Sequence, residues 1–346
     1  MKTLRLFGFA GMAASLLIGS LSWAEGSALT NPDCSKIGGK KICIFAGPTG
    51  HNGAIKIASG LNDDLWFGSS SLNALVRFTT KGVSKVFNVE NSGAEPFGIV
   101  EGPDKRMWFT EYATGDVGAM TSKGTESDYT LGFSPSDSIE ITVGSDKNLW
   151  MATDHNGILQ VTPKGAVQEF DLPNGGDASQ PTSVTLGSDG NIWFLEANGP
   201  CFEGQNYTDI GKVTPQGKFT TYPVKNHGNG YGIASGPDKR IWFADPGGCD
   251  GYPSRIGAIQ TNGKGLHYYT KGLPPLVDTI INGKDGNLYF GTFTNQIGRI
   301  STSGKVTVWT LPSQYSFAIL GMTVGPDGNI WFADNSGDYI GALYLK

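Results

Sequence analysis

The chain has 346 residues, 51 of them glycine, with 38% hydrophobic and 16% charged residues and a formal net charge of −5. Mild acidity without a basic stripe argues against nucleic acid as a partner, because nothing is placed to neutralise phosphates. The glycines fall at fixed places in a repeat, so they mark turns and close backbone approach and not disorder.

Residues 1–24 read as an export signal. Lys2 and Arg5 give the positive start, Leu6 to Leu21 is an apolar run, and Ser22-Trp23-Ala24 offers small residues at the cleavage positions. A retained anchor is the alternative, but the run is short for a span. Cleavage after Ala24 removes Lys2 and Arg5 and takes the net charge from −5 to −7. No later segment is long and apolar enough to cross a bilayer, so the mature protein is expected to be soluble, monomeric and secreted or periplasmic. Residues 25–39 are read as a leader and 40–346 as a single domain.

From there one phrase recurs seven times: GLNDDLWF, GPDKRMWF, GSDKNLWM, GSDGNIWF, GPDKRIWF, GKDGNLYF and GPDGNIWF. The anchors Trp66, Trp108, Trp150, Trp193, Trp242, Tyr289 and Trp331 are 42, 42, 43, 49, 47 and 42 residues apart. A period in the forties with strand-like content predicts a β-propeller with one blade per repeat. The fold class is therefore all-β, a seven-bladed β-propeller of four-stranded antiparallel blades.

The fourth repeat shows the expected order within a blade. Pro181 to Leu186 is the inner strand, Gly187 to Asn191 a tight turn, and Ile192 to Leu195 a second strand apolar on both faces. A loop leads to a third strand, Ile210 to Val213, and Lys218 to Tyr222 forms the more polar outer strand. The seventh repeat stops after its third strand. Residues 40–46, Lys40-Lys41-Ile42-Cys43-Ile44-Phe45-Ala46, resemble an orphan outer strand, so they should complete the seventh blade and close the ring.

Four cysteines suit an oxidising compartment. Cys34 and Cys43 lie nine positions apart, and Cys201 and Cys249 occupy equivalent places in neighbouring repeats. The expected pairs are Cys34–Cys43, pinning the clasp, and Cys201–Cys249, joining two long loops; four cysteines permit three connectivities.

Function is expected on the face where inner strands begin and where the second strand turns into the third. Eleven residues before the anchors stand Ile55, Phe97, Ile139, Thr182, Tyr231, Asp278 and Leu320. Three residues after them stand Ser69, Glu111, Thr153, Glu196, Asp245, Thr292 and Asp334. On one reading the apolar residues plug the channel and the acids accept bonds from loop amides. On the other, carboxylates around a concavity hold a ligand or a hard metal ion. Asp278 is the metal candidate, because a lone charge near the axis is costly unless paired. The extra length of the fourth and fifth repeats lies in loops after Trp193 and Trp242, which would wall one side of the mouth. Expected ligand-binding residues are Phe97, Tyr231, Glu196, Tyr207, Tyr252 and Asp334. Among the histidines, His267 falls in an outer strand, while His51, His155 and His227 fall near the mouth. No Ser-His-Asp order, zinc spacing or phosphate-cradling loop stands out.

The repeated Gly-Pro-Asp-Gly-Asn-Ile-Trp-Phe and Ile-Gly-Arg-Ile strings resemble the streptogramin B lyase (virginiamycin B lyase) family across all seven repeats. That resemblance implies seven blades and a lyase that opens the ester ring of a cyclic depsipeptide by elimination, with Mg²⁺ and a histidine base. It also implies histidines in Pro-His-x-Ile segments at inner-strand starts. The matching segments here are Pro96-Phe97-Gly98-Ile99, Pro181-Thr182-Ser183-Val184 and Gly230-Tyr231-Gly232-Ile233, and none carries histidine. Glu95 matches the acid that precedes such a motif.

Two functions follow as expectations. One is an exported propeller binding a small molecule, glycan or peptide at the mouth near blades 4 and 5. The other is a metal-dependent enzyme, a lyase or a lactone hydrolase, using Asp278, Glu95, Glu111 and Asp245 around Mg²⁺ or Ca²⁺. A structural part of a larger envelope assembly is a third reading.

Overall fold

The computed structural model describes residues 31–48, 53–132, 138–153, 157–173, 179–198, 207–224, 232–247 and 253–346, with backbone only at 138–139, 179, 197–198 and 207–208. Seven antiparallel sheets stand in a ring. Their inner strands are Ile57–Gly60, Pro96–Glu101, Ser138–Val143, Ser179–Leu186, Gly232–Ser235, Val277–Asn282 and Ile319–Val324, each beside the next and the seventh beside the first. Among the described residues no helix is long and apolar enough to cross a membrane.

The repeated phrase is explained by packing. In blade 4 the Trp193 indole N–H donates to Asp189 Oδ1 at 3.0 Å, and the same carboxylate accepts the Asn191 backbone N–H and side-chain amide. Trp108, Trp150, Trp242 and Trp331 repeat this bond with Asp104, Asp146, Asp238 and Asp327. In blade 6 the Tyr289 hydroxyl donates to Asp285. Blade 1 has Asn62 at that place, and its Trp66 indole turns instead to the Leu61 carbonyl. A buried indole thus keeps its one donor satisfied while fixing the turn. Its ring lies flat on an outer-strand aromatic, as Trp242 does on Tyr269 at 5.1 Å.

The glycine of the third strand serves close approach. At Gly298 an added Cβ would stand 2.0 Å from Phe290 Cζ, so the second-strand phenylalanine has room only because the side chain opposite is missing.

Ring closure is as the sequence implies. Lys40–Ala46 pairs antiparallel with Tyr339–Leu343, matching Ile42 with Leu343 and Ile44 with Gly341. The blade then gains an element absent from the sequence reading: part of the leader, Asp33–Ile37, forms a fifth strand outside Lys40–Ala46. The turn between them is Gly38-Gly39, both at positive φ, the backbone that a two-residue hairpin requires. Cys34 and Cys43 face each other across this hairpin and are disulfide-bonded. Tyr315 Oη donates to Asp33, tying the added strand to the loop before the last inner strand.

Blade 4 also departs from expectation. Its second and third strands run on as Ile192–Asn198 and Tyr207–Val213, pairing Asn198 with Tyr207. Extending the ladder satisfies backbone groups that a free loop would leave to water. The Cys201–Cys249 pair lies outside the described residues.

Candidate functional site

Strand irregularity builds the channel. In blades 2, 3, 4, 6 and 7 the pairing of the inner strand slips by one residue near its start, between Pro96 and Ile99, Ser138 and Ile141, Pro181 and Ser183, Val277 and Thr279, and Ile319 and Gly321. Such a bulge leaves one residue unpaired and re-aims its neighbours. In blades 4, 6 and 7 the unpaired residues are Thr182, Asp278 and Leu320, three of the predicted inner ring.

A cavity of about 110 Å³ lies among the inner strands, lined by Lys56, Glu140 and apolar residues that include Ile99, Ile233, Ile280 and Met322. Lys56 Nζ lies 3.0 Å from Glu140 Oε1. The hydroxyl of Ser183 donates to the other oxygen of Glu140. Asp278 is 2% exposed and its Oδ1 has no hydrogen-bond partner. Burial pushes its carboxyl up to about 7; Lys56 opposes the shift and Glu140 adds to it. Asp278 is therefore not a lone charge near the axis. Lys56 and Glu140 stand one residue further from the strand start, ten before Trp66 and Trp150, and the same register read one position on would have found them.

At the rim, Phe97 is half-buried and stacks on Tyr112, with ring centroids 5.6 Å apart. Glu95 is exposed in the left-handed region at φ 52°, its N–H donating to Asn73.

The ring of residues after the anchors is buried, and most of its members cap the turn that follows. Ser69 and Thr292 accept backbone N–H groups of Leu72 and of Thr294 and Gln296. Asp334 accepts from the Ala318 and Ser336 amides. Asp245 accepts the Gly247 N–H and holds Arg255 Nε at 2.7 Å. Glu196 is 4% exposed with Oε2 unpartnered; burial, with Asp209 adding, pushes its carboxyl up to about 7.

Glu111 differs again. Its Oε2 accepts from Asn91 and Thr114, and it groups with Glu126 and Asp128 of the outer strand, two acids that the sequence reading passed over. Among the described residues no three of Asp278, Glu95, Glu111 and Asp245 converge. His267 is exposed on the outer strand of blade 5, edge-on to Tyr269. Tyr231, Tyr252, His51, His155 and His227 lie outside the described residues, and of Tyr207 the backbone alone is described.

The Mg²⁺ that the family resemblance implies would need carboxylates gathered at the mouth. Glu95 is exposed, Asp245 is held by Arg255, and Asp278 is buried near the Lys56–Glu140 pair. This donor set does not fit such an ion.

Comparison with known proteins accords with this architecture. A streptogramin B lyase structure is 30% identical, covering 88% of this chain and 97% of that one, with a TM-score of 0.77. A catalytically inactive histidine-to-alanine variant of virginiamycin B lyase from Staphylococcus aureus, solved with quinupristin, is 27% identical over 89% of this chain and 100% of that one, with a TM-score of 0.76. A gluconolactonase from Xanthomonas campestris shares the fold alone, at 11% identity over 95% and 99% of the two chains and a TM-score of 0.54. No curated protein matches. The profile of the virginiamycin B lyase family matches residues 35–202 and 201–346, and the chain belongs to that family.

Proposed function

We propose that this is an exported, monomeric propeller that binds a small molecule, glycan or peptide at the channel mouth and holds it without opening it. One observation carries the reading. At the inner-strand start of blade 2, where the family resemblance calls for a histidine base, Phe97 stands stacked on Tyr112. A phenyl ring accepts no proton, but a half-buried aromatic pair offers a flat apolar surface to a ligand. In this reading Glu196, Tyr207, Tyr231 and Tyr252 extend the rim toward blades 4 and 5, and Asp334 contributes from blade 7. Export rests on the signal read at 1–24 and agrees with the Cys34–Cys43 bridge.

The enzyme reading has one observation in its favour. Asp278 is a buried carboxyl held near neutrality beside a lysine, which is how a general acid or base is often tuned.

The binding reading is tested by calorimetric titration of glycan, peptide and depsipeptide panels. A ligand is expected whose affinity falls about tenfold in Phe97→Ala, in proportion to a lost stacking contact. A ligand that binds Phe97→Ala and Tyr112→Ala as tightly as the parent would overturn the placement.

A further inference from the structure

Glu111, Glu126 and Asp128 offer carboxylate oxygens that all lie within 4.8 Å of one another, on the flank of blade 2. Three carboxylates so close repel one another, and here burial worsens the repulsion. Glu111 is 0% exposed. One of its oxygens is committed to Asn91 and Thr114, while Oε1 is buried with no hydrogen-bond partner. Glu126 repeats the pattern: Oε2 accepts the Glu90 N–H, and Oε1 is buried without a partner. Among the described residues no other group of three such acids occurs.

We propose that Glu111, Glu126 and Asp128 form a binding site for one hard divalent cation, Ca²⁺ in preference to Mg²⁺. The donors are all oxygens, which excludes soft metals. Three carboxylates around one point suit Ca²⁺, which takes about six to eight oxygens in a flexible shell, better than Mg²⁺, which keeps several waters and is held by one or two carboxylates. Asp128 is exposed, so water completes the shell on that side. The unpartnered oxygens of Glu111 and Glu126 then find their missing partner in the ion. Because Asn91 and Glu90 bond to the same two glutamates, the ion ties the outer strand of blade 2 to the segment leading into the inner strand that carries Phe97. Glu111 pairs with Pro96, beside the Phe97–Tyr112 stack, so the site borders the proposed rim, but cation binding is read without any organic ligand and does not depend on the binding function.

The test uses the full mature chain, stripped with EDTA and titrated with CaCl₂ or MgCl₂ at pH 7.5. One equivalent of Ca²⁺ is expected by calorimetry, with at least tenfold weaker Mg²⁺ binding. The melting temperature should rise by roughly 5 °C once the ion reaches about 100 times its Kd. Asp128→Asn, an exposed substitution that leaves the core intact, should abolish both effects, and Glu111→Gln should do the same. Absence of stoichiometric binding at 5 mM Ca²⁺ would overturn the proposal, leaving the acids held by a shared proton. Unchanged Ca²⁺ binding in Asp128→Asn and Glu111→Gln would overturn it equally, by placing the ion elsewhere.

Discussion

In EDTA, the melting temperature should fall by roughly 5–10 °C between pH 5 and pH 8, and Asp278→Asn should remove about a quarter of that fall. The sign follows from where the protons sit. Burial raises the carboxyl of Asp278 from 3.8 to about 7 and that of Glu196 from 4.5 to about 7. Glu111, buried and beside Asp128, is raised to about 8, and Glu126 to about 7. An unfolded chain releases these protons near pH 4, whereas the folded chain keeps them to pH 7 or 8. Across that window the folded state binds more protons, so stability declines as pH rises. Asp278 alone contributes on the order of 2–3 kcal/mol of the decline between pH 5 and pH 8. The opposite limb belongs to Asp189, Asp238 and Asp285, which are lowered by their bonds to Trp193, Asn287 and similar partners. Their contribution is lost as pH drops below their folded values, under 3.8. Maximal stability near pH 4 is the net expectation, read by scanning calorimetry. A melting temperature that climbs from pH 5 to 8, or an unchanged slope in Asp278→Asn, would mean that Asp278 is ionised in the fold.

The second large effect concerns the clasp. A chain beginning at Gly47 loses Ile42, Cys43, Ile44 and Phe45, each no more than 4% exposed. At about 1.5–3 kcal/mol for each buried apolar side chain, the loss approaches the whole stability of a domain, about 5–15 kcal/mol. It also uncovers the edge of Tyr339–Leu343, an open template for aggregation. Such a chain should show no cooperative melt and should bind a hydrophobic dye. A synthetic peptide of residues 33–46 should restore the transition, since it supplies both missing strands. A truncated chain that melts cooperatively within 5 °C of the parent would show that the ring closes without this strand.

The ring was legible because its cause is local and periodic. Each Asp, Gly and Trp of the phrase serves one turn and one indole, so spacing alone reveals the blades. The same property hides function, since the most conspicuous residues are occupied in packing. Phe97 and Asp278 were visible because they stand at the register of the inner-strand starts. Glu140 was missed because a bulge, invisible in sequence, decides which of two adjacent residues reaches the channel, and Lys56, its partner, stands just before the inner strand of blade 1. Glu126 and Asp128 escaped notice for a different reason. The outer strand reads as half-exposed and polar, and only the fold brings its acids against a buried glutamate from another strand. The fifth strand of the closing blade hid behind the reading of residues 25–39 as a leader, although Gly38-Gly39 is itself a hairpin signal.

The claim that this member of a lyase family holds its ligand instead of cleaving it is tested most directly by turnover. The purified mature chain should be incubated with quinupristin and Mg²⁺, and the products separated by liquid chromatography with mass detection. With Phe97 where a base would stand, the cyclic depsipeptide should be recovered intact. A linear, ring-opened product formed in proportion to the protein added would contradict the account.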